Sequence, residues 1–411
     1  MRANGESIYG TTASPFEKQG WGRCTQKQLA DSTRRLYLHV FDWPADGKLT
    51  VPLPVQGAVT ARLLESGQQQ KVLVEPRQLT VLVPEKMPDD MATVVVLEVE
   101  PKANPSAANT PRSTTSPAEP PQPAAANVAY GSHERQVMDF YRADTQQPAP
   151  LLFHIHGGGW VAGDKARVAH LQDYLDAGIS VVSINYRYST QAQIAGVQPP
   201  VSWPLHDAAR AVQFVRGKAD EWNIDKQRIA ASGGSAGACS SLWLAFHDDM
   251  ADPSSSDPVA RESTRLCCAA VIGAQTTLDP RQMKDWTPNS RYGGHAFGFM
   301  PDPRNRATRD TQFAEFLAAR SQILPWIQEY SPYAHVSSDD PPIYMIYARP
   351  PALGKAQKDP THTANFGVKL QEKLQEVGVA CELVYPGAPD VKHSQPHSYV
   401  IEMLTGGNSE N

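Results

Sequence analysis

The sequence predicts an α/β fold, a mostly parallel sheet covered by helices on both faces, preceded by a small antiparallel β-sandwich. After residue 127, apolar strand patterns alternate with amphipathic helical patterns, which is typical of such a sheet. Before residue 102, short β patterns follow one another with only turn residues between them. A stretch rich in Pro, Ala, Ser and Thr separates the two regions.

The first β region spans residues 23–101 and predicts the sandwich. Four strand patterns are expected in it, at 36–41, 59–64, 78–83 and 93–99. Gly, Pro, Asp or Asn residues bound these patterns, and such residues mark turns.

Residues 102–127 are expected to form a linker. They include almost no aliphatic residues beyond Ala, so they cannot bury enough surface to offset the entropy of ordering. Their prolines favour an extended tether. At 411 residues the chain is too long for one typical domain. We therefore assign residues 128–411 to a second domain.

The second domain alternates six strand patterns with four helical patterns. The strands are expected at 151–155, 180–186, 228–232, 269–274, 343–348 and 382–385. The helices are expected at 168–177, 206–221, 236–248 and 366–377. On sheets of this kind, ligands bind at the carboxyl ends of the strands.

The composition excludes several classes of function. The net charge of −5 and the pI near 6.2 give no general attraction to nucleic acid or anionic lipid. No apolar run approaches the ~18 residues that a membrane helix needs, so no membrane partner is expected. The five cysteines lack metal spacing, which argues against cysteine chemistry. Residues 1–6 do not resemble a signal peptide, so the chain is expected to be cytoplasmic, or secreted or periplasmic if a leader has been removed.

The pentapeptide at 233–237 has the pattern Gly-x-Ser-x-Gly, with Ser235 at its centre. It follows the strand pattern 228–232 and opens the helical pattern 236–248, which is the context of a nucleophile on a sharp strand-to-helix turn. The glycines let neighbouring backbone approach, and the helix N-terminus favours developing negative charge. Ser235 is therefore the expected nucleophile.

A second glycine-rich segment, His-Gly-Gly-Gly-Trp at 156–160, follows the strand pattern 151–155. Acyl transfer passes through a tetrahedral oxyanion, which preorganised N–H donors stabilise. The alternative is a phosphate-binding loop, but the segment lacks the Gly-x-Gly-x-x-Gly register and a Lys-Ser/Thr ending. The two glycine-rich segments together predict acyl-transfer chemistry.

An orienting acid and a general base should follow the serine in the order Ser, Asp or Glu, His. Asp359 is the expected acid, because it follows the strand pattern 343–348 and precedes a helix. Asp339, Asp340 and Asp390 are less favoured alternatives by position.

His393 is the expected base, because it follows the last strand pattern and precedes the last helix. His397 lies only four residues further along the chain and is its main competitor. His362 is close to Asp359 in sequence, but it precedes the strand that should deliver the base and is not favoured.

The run of His247, Asp248 and Asp249 raises the question of a metal site. It lies at the far end of the helical pattern that opens at Ser235, and should point away from the catalytic residues. A solvated helix end is the favoured interpretation, and neither a metal nor another cofactor is expected.

With these residues in place, residues 128–411 resemble α/β-hydrolase esterases. The closest groups are the hormone-sensitive-lipase-like group and the bifunctional feruloyl/acetyl esterase group. The resemblance implies a Ser-His-Asp acyl-enzyme mechanism with the amides of Gly157, Gly158 and Ala236 as oxyanion donors. It rests on the segments YGSHERQVMDFYRAD, LLFHIHGGGWVAGDK, WNIDKQRIAASGGSAGA, PPIYMIYA and VYPGAPDVKH.

Residues 1–101 are similar to the C-terminal end of a glycoside hydrolase family 29 α-L-fucosidase. The similarity rests on NGESIYGT, LYLHVFDWPADGKL and TVVVLEVE. It implies that residues 1–22 are the remnant of a barrel end, poorly ordered or irregularly packed, before the sandwich. The barrel strands that carry the fucosidase nucleophile are absent from this sequence, so no fucosidase activity is expected.

The leading hypothesis is a serine carboxylesterase that hydrolyses short-chain esters, with acetyl or feruloyl groups on sugars or polysaccharides as favoured substrates. The sugar preference rests on the fucosidase-like neighbour and is an association. Two alternatives stay open. One is a catalytically inert carbohydrate-binding protein in which Tyr37 or Trp43 stacks on sugar, and the other is a serine peptidase on the same fold.

Overall fold

In the computed structural model the chain forms two compact units, residues 1–120 and 121–411. Each unit has its own sheet and its own apolar core. The structure describes residues 7, 11–14, 16, 19–28, 33–44, 46–53, 59–74, 78–84, 86–87, 93–99, 121–300, 305 and 307–406.

The described residues of the N-terminal unit form eight antiparallel strands. They are β1 (Thr12–Ala13), β2 (Gly22–Gln28), β3 (Arg34–Val40), β4 (Lys48–Val51), β5 (Val59–Leu63), β6 (Gln69–Val74), β7 (Leu79–Leu82) and β8 (Thr93–Val99). They pair in the order β1-β2-β3-β8-β5-β6-β7-β4.

The core of this unit joins strands from both ends of the pairing order. Leu36 and Leu38 of β3 are buried in the same cluster as Leu49 of β4 and Val81 of β7. Since β3 and β4 are far apart in the sheet order, the sheet must fold back on itself for these side chains to meet. The predicted β-sandwich is confirmed.

The two aromatic residues considered for sugar stacking do not present open ring faces. Tyr37 lies on the other face of β3 from Leu36, is 1% exposed, and packs with Val94 and Val96. Trp43 packs against the sandwich core, and its indole N–H donates to the backbone oxygen of Pro84 at 2.7 Å.

Much of the predicted barrel remnant, residues 1–22, lies outside the described residues. Within it, Thr12 and Ala13 pair with Gln26 and Thr25 of β2, so this part belongs to the sandwich sheet. The relation of the segment to a fucosidase barrel stays a prediction.

The C-terminal unit contains an eight-stranded, mostly parallel sheet. Its strands are β9 (Ala125–Ala129), β10 (Val137–Tyr141), β11 (Ala149–Ile155), β12 (Ser180–Ile184), β13 (Ile224–Gly234), β14 (Cys268–Ile272), β15 (Ile343–Ile346) and β16 (Cys381–Val384). The order is β16-β15-β14-β13-β11-β12-β10-β9; β10 pairs antiparallel with both β12 and β9, and the other neighbouring strands are parallel. Because β9 begins at Ala125, the last three residues of the predicted linker belong to this sheet, whereas residues 101–120 lie outside the described part.

Helices cover both faces of this sheet. They are α1 (Leu171–Asp176), α2 (Ser189–Ile194), α3 (Ser202–Gly217), α4 (Ala219–Trp222), α5 (Ala236–Phe246), α6 (Pro280–Trp286), α7 (Arg309–Ala318), α8 (Leu324–Tyr330), α9 (Pro332–His335), α10 (Ala364–Glu376) and α11 (Pro396–Thr405). The longest of these described helices has 16 residues, and none is both long and apolar enough to cross a lipid bilayer.

Alternating residues of the central strand β11 are buried in two different apolar cores, one on each face of the sheet. Phe153 is buried in one core with Leu242 of α5, whereas Leu152 is buried in a second core with Tyr174 of α1 and Val400 of α11. This doubly covered sheet confirms the predicted α/β-hydrolase fold.

Candidate active site

Ser235 lies on the sharp turn between β13 and α5. The strand ends at Gly234 and the helix begins at Ala236. Ser235 has φ 54° and ψ −121°, a conformation that residues with a side chain rarely adopt. Its backbone N–H donates to the carbonyl of Ile272, at the end of β14, at 3.0 Å. The neighbouring strand therefore holds the strained turn in place.

Close backbone packing requires the first and last glycines of the pentapeptide, Gly233 and Gly237. A Cβ on Gly233 would lie 2.6 Å from the backbone oxygen of Ile155, and a Cβ on Gly237 would lie 2.1 Å from the same oxygen. Side chains there would push the turn away from β11. The Gly-x-Ser-x-Gly pattern is thus explained by how the turn packs on the sheet.

His362 and Asp359 lie next to Ser235. The Nε2 atom of His362 is 2.9 Å from the Oγ of Ser235, and its Nδ1 is 2.8 Å from Oδ2 of Asp359. Because a carboxylate accepts, Nδ1 carries the proton and Nε2 presents a lone pair to the serine hydroxyl. A hydroxyl, an imidazole and a carboxylate are therefore connected in series.

The loop between β15 and α10 supplies both the imidazole and the carboxylate. The other oxygen of Asp359, Oδ1, accepts the backbone N–H groups of Thr361 at 3.1 Å and His362 at 3.2 Å. Thr363 then caps α10, where its side chain accepts the N–H of Asn365. The Asp and the His are thus held in one short turn that is anchored by the start of the helix.

The electrostatics of this turn keep the carboxylate ionised. Partial burial acts to raise the pKa of Asp359, but the hydrogen bond and charge of His362 and two backbone N–H groups outweigh it, and the pKa lies below its ordinary value. The side chains of His362 and Asp359 are 40% and 53% exposed, so the pair faces solvent and is accessible to a substrate.

The structure does not bring His393, the expected base, to Ser235. Its Nδ1 lies 2.7 Å from Glu382 and its Nε2 lies 3.0 Å from Glu402, so carboxylates engage both ring nitrogens. The expectation is corrected: the histidine beside Ser235 is His362. The reason is topological, since β16 is the edge strand, whereas the long loop after β15 reaches back to Ser235.

Three of the other candidates have partners elsewhere. The ring of His397 stacks on His170 with 3.9 Å between centroids. Asp339 forms an ion pair with Arg265 at 2.8 Å, and Asp340 accepts the backbone N–H of Ser337. Asp390 lies in the same connection as His393, after β16.

Gly157 and Gly158 lie in the loop after β11, against the turn that carries Ser235. A Cβ on Gly157 would be 2.7 Å from the backbone oxygen of Gly234 and 3.6 Å from the Cβ of Ser235. Gly158 has φ +106°, which favours glycine. The loop backbone therefore runs directly beside the serine.

A hydrogen bond to the backbone oxygens of this loop holds it in place. The buried hydroxyl of Tyr186 donates to the backbone oxygen of His156 at 2.9 Å and lies 3.2 Å from that of Gly157. Among the described backbone hydrogen bonds outside helices and strands, the amides of Gly157 and Gly158 donate to no backbone acceptor. The use of these two amides and of Ala236, the first residue of α5, as an oxyanion site stays a prediction.

Two cavities open onto Ser235 and His362. One, of about 430 Å³, also includes Arg291 and Thr361 in its wall, and the other, of about 490 Å³, also includes Ile346. The two cavities provide space for a substrate beside the serine.

A larger cavity of about 740 Å³ lies beside His393, between β16 and α11. It does not include Ser235 in its wall. Burial raises the pKa of Cys381, which lines it, to about 12, so this thiol is not a nucleophile at neutral pH. This cavity is therefore not the candidate active site.

Two groups of described residues have side chains that suit a metal ion. They are His170, Asp173 and His397, and His247, Glu329 and His335. Neither group includes Ser235, His362 or Asp359.

Comparison with known proteins gives a family for most of the C-terminal unit. The family model BD-FAE matches residues 138–372. This range contains Ser235, Asp359 and His362 and ends before His393.

The relatives include two proteins of Mycobacterium tuberculosis. The probable carboxylic ester hydrolase LipM is 28% identical over 270 residues, 63% of this chain and 54% of LipM. The esterase LipQ is 24% identical over 279 residues, 65% of this chain and 56% of LipQ. The chain thus spans about half the length of these relatives. A solved structure, Thermogutta terrifontis esterase 2 phosphonylated by sarin, has 20% identity and a TM-score of 0.49, and covers 69% of this chain and 94% of that one.

A sequence signal could have favoured His362 over His393. An Asp side chain in a turn commonly accepts N–H groups two and three residues further on. The spacing Asp359-x-x-His362 therefore places the imidazole beside the carboxylate by local geometry alone.

Proposed function

The chain belongs to the BD-FAE family, and we propose that it is a serine esterase that hydrolyses short-chain carboxylic esters. The hydrogen-bonded series Ser235–His362–Asp359 carries this proposal, because it is the arrangement that makes a serine hydroxyl nucleophilic. The names of the relatives, carboxylic ester hydrolase and esterase, support the same class.

In the proposed first step, Ser235 Oγ attacks the ester carbonyl while His362 Nε2 takes its proton. Asp359 keeps the imidazole in the required tautomer and stabilises the imidazolium that forms. The amides of Gly157, Gly158 and Ala236 bind the oxyanion. The imidazolium then gives its proton to the leaving alcohol, and the acyl group stays on Ser235.

In the proposed second step, water replaces the alcohol. His362 takes a proton from the water as it attacks the acyl carbonyl, and the same amides bind the second oxyanion. Collapse releases the carboxylic acid, and the proton returns from His362 to Ser235.

We propose acetyl or feruloyl groups on sugars or polysaccharides as the substrates. One support is the resemblance of residues 1–101 to the end of a fucosidase, which points to polysaccharide breakdown. Another is the cavity of about 430 Å³, where Arg291 and Thr361 offer polar groups to sugar hydroxyls.

The inert carbohydrate-binding hypothesis is less well supported than the esterase. The ring of Tyr37 is buried, and Trp43 is packed against the sandwich core. Neither residue therefore offers the open stacking face that this hypothesis requires.

The test is hydrolysis of p-nitrophenyl acetate by the wild type and by Ser235→Ala. We expect the variant to lose at least about 10⁴-fold in kcat. An inactive wild type, or a variant that keeps its rate, would refute the esterase. p-Nitroacetanilide in parallel distinguishes a peptidase, and acetylated xylose with a series of acyl lengths defines the substrate.

A further inference from the structure

The far end of the nucleophile helix carries a cluster of two histidines and a glutamate. His247 follows α5, Glu329 lies in α8, and His335 ends α9. One ring nitrogen of each histidine and a carboxylate oxygen of Glu329 lie within 4.8 Å of one another. The sequence predicts a solvated helix end here, but the side chain of His247 is only 17% exposed.

The hydrogen bonds of His247 leave a lone pair facing a carboxylate. Its Nδ1 lies 2.8 Å from the backbone oxygen of Asp248, which can only accept, so Nδ1 carries the proton. Its Nε2 lies 3.2 Å from a carboxylate oxygen of Glu329. When the imidazole is neutral, the lone pair of His247 Nε2 faces the carboxylate oxygen of Glu329, and both are acceptors. This arrangement calls for a cation between them, either a proton on Nε2 or a metal ion.

His335 supplies a second neutral imidazole. Its Nε2 lies 2.6 Å from the backbone oxygen of Glu329, so Nε2 carries the proton and Nδ1 keeps its lone pair. The ring centroids of His335 and His247 are 4.8 Å apart. A metal ion uses the lone pairs of both rings, whereas a proton on His247 would leave that of His335 unused.

We propose that His247, Glu329 and His335 bind a divalent transition-metal ion, preferably Zn²⁺. Two imidazole nitrogens and a carboxylate oxygen form a ligand set that suits Zn²⁺, with water in the fourth position. Each imidazole donates its other N–H to a backbone carbonyl, which is how proteins orient metal-bound histidines. Glu329 is 44% exposed, so an ion can reach the cluster from solvent.

The ion would connect the end of α5 to α8 and α9. Since Ser235 lies at the opposite end of α5, the ion takes no part in the ester chemistry and its effect is on stability. The other group, around His170, is a weaker candidate. The rings of His170 and His397 are stacked with an interplanar angle of 17°, so their in-plane lone pairs do not converge on one ion.

The test is titration of the metal-free full chain with ZnCl₂ by isothermal titration calorimetry. We expect one site that Glu329→Gln and His335→Ala each weaken by more than roughly 10-fold, since even groups that only orient metal ligands are worth ~10–100-fold in affinity. The matched control His170→Ala should leave this affinity unchanged, and MgCl₂ should not replace ZnCl₂.

Thermal unfolding gives a second readout that does not depend on esterase activity. Zn²⁺ should raise the unfolding midpoint of the wild type and not that of the two ligand variants, whose metal-free midpoints report whether they fold. The proposal is overturned if the wild type binds Zn²⁺ no more tightly than about 100 μM. It is equally overturned if both ligand variants bind Zn²⁺ like the wild type.

Discussion

Replacing His362 by alanine should remove the general base and leave the fold intact. The substitution deletes the nitrogen that lies 2.9 Å from the serine hydroxyl. General base catalysis contributes about 10²–10⁴-fold to a rate, which at 1.36 kcal/mol per decade raises the activation free energy by about 3–5 kcal/mol. The kcat/KM for p-nitrophenyl acetate should fall by that factor. Since 40% of the side chain is exposed, the free energy of unfolding should change little.

The matched substitution His393→Ala should lower the stability of the fold and leave catalysis unchanged. It removes the imidazole that bonds Oε2 of Glu382, whose side chain is only 17% exposed, whereas the backbone N–H of residue 393 still donates to Oε1. Leaving a buried polar group unpaired costs about 1–3 kcal/mol, so the free energy of unfolding should fall by about that amount. The kcat/KM should stay near that of the wild type, because the ring lies away from Ser235.

The assay combines initial rates over a range of substrate concentrations with urea unfolding followed by tryptophan fluorescence. Unfolding data show whether a lost rate reflects lost chemistry or lost fold. If folded His393→Ala were as inactive as Ser235→Ala while His362→Ala kept its rate, the assignment of the base would be wrong.

Three further predictions concern the acid, the oxyanion loop and pH. Asp359→Asn should lower kcat on the order of 10³-fold, because the imidazole loses its tautomer partner; an unchanged kcat would remove Asp359 from the mechanism. Gly157→Ala places a Cβ 2.7 Å from a backbone oxygen and should lower kcat by about 10²–10³-fold with KM little changed. The control Gly217→Ala has open space around it and should leave kcat unchanged. Equal effects of both substitutions on kcat would contradict the role of the loop. Burial acts to lower the pKa of His393, but two glutamates outweigh it and raise that pKa. Its stabilising contribution is therefore present below the unfolded pKa of about 6.5 and is lost as pH rises through the folded pKa. The difference in urea midpoint between the wild type and His393→Gln should therefore shrink as the pH rises above about 6.5. A difference in urea midpoint that stays constant with pH would contradict the stabilising role of protonated His393.

Local periodicity was enough to predict the central strands of the sheet. The patterns at 151–155 and 228–232 fall within β11 and β13, because strands buried on both faces read as continuous apolar runs. The first three residues of β9 were assigned to the linker instead. Its residues, Ala125–Ala129, are largely exposed at the sheet edge, so burial imposes no apolar pattern on them.

The difference between local packing and long-range loop placement explains how much of the candidate site could be predicted. Ser235 could be identified from sequence because the packing of its turn fixes the residues on either side. The local spacing Asp359-x-x-His362 pairs the imidazole with the carboxylate, but it does not show that the long loop reaches across the neighbouring strands to Ser235. The sequence rule that the base follows the last strand therefore favoured His393, and the order of β15 and β16 in the sheet corrected it.

The most direct test of Ser235 as the nucleophile is to trap it covalently. The protein is treated with diethyl p-nitrophenyl phosphate, which transfers a diethylphosphoryl group to an activated serine, and the adduct is located by peptide mass spectrometry. We predict one adduct per chain, on Ser235, formed far more slowly in His362→Ala and at the wild-type rate in folded His393→Ala. An adduct on another residue, or esterase activity that survives complete modification of Ser235, would contradict the assignment.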